Sequence, residues 1–203
     1  MGESIKTKQK LAVALKNLTE TMKFEKITIS DICEQCDINR KSFYYHFRDK
    51  YDLMNWLFDT EIIILMDKME NNGLKMQEYR LEDYKNWLTL LVRYFYANKA
   101  FYKTVLQMEG QNSFSEHFRE FLQPIFWIRM KQILCNDDVG NVPKRYMDFA
   151  VENFSDAFIG GMQRWIFSDN PVSPDEYVDM LMFFLRNISK GLSGEFSEFE
   201  KIK

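Results

Sequence analysis

A chain of 203 residues can bury a substantial core as one large domain or two small ones, and only 4 prolines and 8 glycines favour long helices over many turns. A net charge of −3 argues against a general nucleic-acid binder, and 3 cysteines, an odd number, give no disulfide framework and fit a reducing cytoplasm. No apolar segment follows a basic start as in a signal peptide, and the candidate apolar run around Ile62 to Met66 is far short of the roughly 18 residues of a membrane span.

The charge is unevenly spread. Residues 1–50 carry ten Lys or Arg and seven Asp or Glu, a surplus of +3, whereas the remainder carries seventeen and twenty-three, or −6. In chain order, Lys6 to about Met22 reads as an amphipathic helix with Leu11, Leu15 and Leu18 on one face. Its basic start can lie along a backbone phosphate. Lys23 to Ile27 is a short connector that Phe24 can anchor to the core.

Residues 28–53 read as two short helices around a tight turn, followed by the start of a third. Ser30 or Thr28 can cap the first, because a hydroxyl accepts from an otherwise orphan backbone N–H. Ile29 and Ile32 supply its apolar contacts, beside the small Cys33 and Cys36. Asp37 falls at the turn, and Asp tolerates the left-handed conformation better than most residues. Asn39 then caps a second helix over about Arg40 to Phe47, and Asp49 caps the next. Ile38, Phe43 and Phe47 recur at helical spacing and should face inward. Arg40, Lys41, Ser42, Tyr44, Tyr45 and His46 are left outside. Such side chains suit phosphate oxygens and base edges in a major groove, where a helix-turn-helix places its second helix.

Thr28, Ile32, Ile38, Phe43, Tyr44, His46, Phe47, Lys50 and Leu53 together resemble the TetR family of transcriptional regulators. The run Phe43-Tyr44-Tyr45-His46-Phe47, followed by Lys50 and Leu53, is the most specific part, and the resemblance covers about residues 6–60. The chain departs from the family at Cys33 and Cys36, where small alanines are usual, at Asp37 for glycine and at Asn39 for serine. The resemblance implies a homodimer on a near-palindromic double-stranded operator, with repression relieved by a small-molecule effector as the usual arrangement. Arg40, Lys41, Ser42, Tyr44 and Tyr45 would then meet the groove and its phosphates, and Thr28, Ser30, His46 and Lys50 would hold phosphates. Lys50 would be helped by the positive end of its helix.

A long helix is expected from Lys50 to about Asn71, stopping at Asn72-Gly73. In the family this helix joins a DNA-binding part, here about 1–50, to a helical ligand-binding and dimerisation part, here 72–203. Residues 74–81 form a polar connector. Helices follow over Glu82–Ala97, Lys99–Met108 and Phe114–Leu134, with a break at Gly110–Ser113 and with Pro124 expected to kink or divide the third. The stretch Gln111-Asn112-Ser113-Phe114 is similar to a subgroup containing activators of dihydroxyacetone kinase genes. After a loop to Val142, Pro143–Phe167 reads as a long helix. Ser173-Pro174 starts the last, which should end near Ser189 with Gly191 as its stop, leaving 192–203 as a tail. No alternating strand pattern of useful length occurs, so the fold class is all-α.

Each functional candidate has a plainer reading. Cys33 and Cys36 form a C-x-x-C, but no second pair with metal spacing exists, and two small buried residues suffice. His46 and His117 have no visible nucleophile beside them. With no phosphate loop, G-x-S-x-G or H-E-x-x-H, no enzyme, metal or cofactor is expected. Trp87, Tyr94, Phe101, Tyr102, Phe126, Trp127, Phe158 and Trp165 are each ordinary core taken singly. As a set they fit an effector cavity lined by aromatics, with Gln107, Gln111, Asn112 and Gln163 to orient a guest. Gly160-Gly161 marks a kink or a close helix approach. The family implies that the last two helices pair with their mates as a four-helix bundle, through Phe158, Gly161, Met162, Met180, Phe183 and Phe184. The alternative is a helical interaction module that binds a protein partner instead of DNA.

Overall fold

The computed structural model describes residues 2–71, 81–107, 114–136 and 143–199, and every regular element among them is helical. The chain forms two compact units, Met1–His117 and Phe118–Lys203. The expected division near residue 72 therefore falls inside the first unit. The stop at Asn72-Gly73, most of the 74–81 connector, the break at 110–113 with Gln111 and Asn112, and most of the 136–142 loop lie outside the described residues.

The first unit contains α1 (Glu3–Leu18), a 3-10 turn (Phe24–Lys26), α2 (Ile29–Gln35), α3 (Arg40–His46), α4 (Lys50–Asn71), α5 (Leu81–Ala97) and α6 (Lys99–Val105). It also holds the start of α7 (Phe114–Asn136). Leu11, Ala12, Ala14 and Leu15 make the buried stripe of α1. Ile32, Phe43, Phe47, Leu53 and Met54 are buried with them, and Phe24 is the expected anchor at 0% exposure. Each such side chain contributes about 1.5–3 kcal/mol by leaving water. The Lys8 ammonium covers the outer edge of this core, 5.2 Å from the Phe47 ring centre and 5.5 Å from that of Trp56.

A polar chain joins α1 to the later helices of the same unit. The Lys16 ammonium donates to both oxygens of Glu61, at 2.9 and 3.2 Å. The Tyr94 hydroxyl donates to the same carboxylate. Tyr102 lies 2.6 Å from the Tyr94 oxygen, hydroxyl to hydroxyl. Burial pushes both phenols well above their ordinary range, and the nearby Glu61 charge adds to the effect. Around them Phe95, Phe114 and Phe58 pack ring on ring, the closest pair being Phe95 and Tyr102 at 4.2 Å. At the end of the unit, the His117 ring lies 2.7 Å from an Asp59 oxygen and edge-on to Phe58.

The second unit comprises the rest of α7 with α8 (Lys144–Phe167) and α9 (Pro174–Phe199). Phe126 meets Phe154 edge to face at 4.9 Å and Phe158 at 5.6 Å. Arg119 bonds Asp156 at 2.6 Å. Trp165 lies flat on Tyr177, 4.6 Å apart at 7°, and donates from Nε1 to the Val172 carbonyl at 2.9 Å. Ser173 caps α9 as expected, its hydroxyl accepting from the Glu176 amide at 3.2 Å.

α7 runs as one helix through Pro124, so of the two outcomes expected there the proline does not divide it. A proline removes one N–H from the ladder, and the bonds on either side carry the helix on. The expected stop is corrected: α9 continues through Gly191 and Gly194 to Phe199, since each glycine costs a helix only about 1 kcal/mol and does not by itself end it. α8 is likewise continuous across Gly160-Gly161. A Cβ on Gly161 would meet the Tyr177 hydroxyl at 3.0 Å, so this glycine serves a close approach of α9 within one chain.

Candidate nucleic-acid interface

The turn between α2 and α3 rests on Asp37, the only described non-glycine residue with positive φ, at 53°. The Ile38 amide donates back to the Cys33 carbonyl at 3.0 Å and closes the turn. Asn39 then caps α3 through its side-chain oxygen, which accepts from the Ser42 amide at 2.8 Å. This local chemistry sets the rotation of α3. Phe43 is 0% and Phe47 3% exposed, while Tyr44 is 51% and Tyr45 83% exposed. Arg40 and Lys41 are also exposed, and Ser42 and His46 are half-buried. The Tyr45 ring leans on the edge of His46 at 5.0 Å. The expected outer face therefore stands in solvent, with two cations one turn before two phenols.

The residues flanking α3 behave differently. Thr28 caps α2, and its hydroxyl is committed on both sides. It donates to the Asp31 carboxylate at 2.8 Å and accepts from the Asp31 amide at 3.2 Å. The Thr28 amide also donates to Asp31, at 2.7 Å, completing a capping box. These bonds hold the Asp31 carboxyl below its ordinary value. A phosphate needs a donor, and the one Thr28 hydroxyl proton is taken. Ser30, exposed in the first turn of α2, remains available.

Lys50 departs further from expectation. Its ammonium donates to the carbonyls of Phe24, Glu25 and Ile27, at 2.7, 3.0 and 2.8 Å. It sits 4.9 Å from the Phe24 ring centre and 5.6 Å from that of Tyr51. An ammonium has three protons, and all three are used inside the protein. Burial pulls this lysine below its ordinary value, opposed by the charges of Glu25 and Asp31.

Cys33 is buried and Cys36 half-buried, and the Cys36 thiol bonds the Ile32 carbonyl at 3.1 Å. Burial pushes both thiols up. Among the described residues no cluster of ligating side chains could hold a metal ion.

The expected effector-lining residues divide between the two units. Trp87, Phe101 and Tyr102 are buried in the first, Tyr94 is half-buried and Gln107 exposed. Tyr94, Phe101 and Tyr102 come together, whereas Trp87 stacks on Tyr84 at 5.9 Å. Phe126, Phe158 and Trp165 are buried in the second unit, with Trp127 and Gln163 half-buried. Trp127 lines a groove of about 410 Å³ with Gln123, Pro124, Asp148, Val151 and Glu152.

The expected pairing surface also divides. Phe158 and Met162 are 5% and 0% exposed within the single chain, so they are too deep to cross a two-fold axis, and Gly161 faces Tyr177. Met180, Phe183 and Phe184 are 56%, 72% and 48% exposed. Tyr146 and Phe149 on α8, which were not among the residues expected on that surface, are exposed by 48% and 68%. Their three-residue spacing, off the face that carries Val151 and Phe158, was the signal available.

A family model described as "Bacterial regulatory proteins, tetR family" matches residues 23–56, and one described as "Transcriptional regulator C-terminal region" matches residues 82–187. The HTH-type dhaKLM operon transcriptional activator DhaS of Lactococcus lactis is 31% identical over 121 residues, which cover 58% of this chain. The match spans 57% of that relative's length. Among solved structures, the dihydroxyacetone kinase operon activator DhaS superimposes with a TM-score of 0.59 at 21% identity, covering 92% of this chain and 97% of that one. A TetR-family regulator from Syntrophomonas wolfei gives 0.70 at 16% identity, covering 94% and 98%. The fatty acid degradation regulator FadR of Bacillus halodurans gives 0.63 at 15% identity, covering 91% and 95%. At such identities the superpositions speak for the fold alone.

Proposed function

Because the chain belongs to the TetR family of transcriptional regulators, we propose that it binds a near-palindromic operator as a homodimer, through the outer face of α3. The observation that carries this reading is the exposure of Arg40, Lys41, Tyr44 and Tyr45 on a helix whose opposite side is sealed by Phe43 and Phe47. Arg40, Lys41, Tyr44 and Tyr45 meet base edges and phosphates in the major groove, and Ser30, Ser42 and His46 hold flanking phosphates. The pairing surface is the exposed apolar set Tyr146, Phe149, Met180, Phe183 and Phe184, since aromatics on this scale in water mark an interaction face.

A small-molecule effector acts through the part C-terminal to α4, and the aromatic residues there supply its lining. It shifts DNA binding only by its difference in affinity between two forms of the protein. The similar regulator of Lactococcus lactis is named an activator, which favours activation here over repression. The site of action is the cytoplasm. No described helix is long and apolar enough to cross a membrane.

Selection from a pool of random duplexes tests the reading. Recovery of an inverted repeat supports it, and retention without sequence preference counts against it.

A further inference from the structure

Lys50 opens α4, yet its side chain turns back to the 3-10 turn that leads into α2. That turn is three residues long and closes few backbone bonds of its own. The Phe24 carbonyl accepts from the Ile27 amide at 3.1 Å, and the Lys50 ammonium adds a bond to it and reaches those of Glu25 and Ile27. The next residue, Thr28, is the cap of α2. One cation thus fixes the place from which α2 starts, and α2 is the helix against which α3 is set.

We propose that Lys50 is a positioning residue for DNA binding, holding the Phe24–Ile27 segment so that α2 and α3 meet the duplex in register, without touching a phosphate itself. This rests on the proposed regulator. Swinging out to DNA would give up three charge-assisted bonds and two aromatic faces for one contact on a solvated phosphate. Arginine cannot replace it, because a planar guanidinium does not point three protons from one nitrogen at three converging carbonyls.

The test measures binding of wild type, Lys50→Met and Lys50→Arg to the selected operator and to random duplex across a salt series. Both variants should bind the operator about tenfold more weakly, while random duplex is bound nearly as before with an unchanged salt slope. A lost phosphate contact instead makes the slope shallower by about 0.9 on every sequence, with Lys50→Arg restoring it. That result overturns the proposal, as does wild-type operator affinity in both variants. Should the variants not fold, the ammonium signal of Lys50 in nitrogen-15-labelled wild type decides. It should be visible in the free protein and unmoved by operator, and a shift on DNA addition overturns the proposal. A wild type that prefers no duplex defeats the proposed regulator itself, whereas operator preference with a shallower slope defeats this inference alone.

Discussion

Lys41 and Tyr45 stand four residues apart on α3, so they share one side of the helix, and Tyr45 is 83% exposed. On the proposed reading, side chains placed this way discriminate bases without supporting the fold. Lys41→Ala and Tyr45→Ala should each weaken operator binding by about 1–3 kcal/mol and leave the melting temperature nearly unchanged. Competition between operator and scrambled duplex checks this, and equal loss on both sequences speaks against base reading. Asp31 gives a pH prediction at the same scale. Its carboxyl is held below the ordinary 3.8 by the Thr28 amide and hydroxyl. A depressed carboxyl contributes its stability above the unfolded value and loses it as pH falls through the folded one. Amides in the first turn of α2 should therefore lose protection from hydrogen exchange below about pH 4, ahead of those in α4. Simultaneous loss would show that the capping box has no local effect.

At the scale of the element, the two glycines of α8 should respond oppositely. A Cβ on Gly160 meets only the tip of Arg164 at 3.4 Å, so Gly160→Ala should stabilise by up to about 1 kcal/mol through helix propensity. A Cβ on Gly161 meets the Tyr177 hydroxyl at 3.0 Å, and Tyr177 is pinned flat on Trp165. Gly161→Ala should therefore destabilise by about 1–3 kcal/mol. Denaturant melts of the two variants check the contrast, and equal shifts would contradict it. What the sequence made legible follows the same division between local and distant causes. α4 begins where expected because Asp49 caps it, accepting from the Tyr51 and Asp52 amides at 2.9 and 2.8 Å. The Asp37 turn and the Asn39 cap were legible for the same reason. The role of Lys50 was not, since its carbonyl partners lie 23 to 26 residues away in the chain. Nor was Gly161, whose partner Tyr177 belongs to the next helix. Gly191 misled because a glycine weakens a helix by only about 1 kcal/mol and does not by itself stop it.

At the scale of the whole molecule, the proposed reading of a palindrome by α3 requires two copies of the chain. Phe183 and Phe184 are 72% and 48% exposed, and Phe149 is 68% exposed. Replacing Phe183 and Phe184 together by Glu should give a monomer by light scattering at micromolar concentration, with helical content retained. Operator affinity should then fall to that for a single half-site. A variant that stays dimeric would move the pairing surface elsewhere. The most direct measurement of paired reading by α3 is a hydroxyl-radical footprint of the wild type on its selected operator. Two recognition helices about one turn apart, roughly 34 to 36 Å, should protect two equivalent patches at that spacing, and Tyr45→Ala should weaken both alike. A single protected patch, or two at a spacing no helical turn explains, would contradict the account.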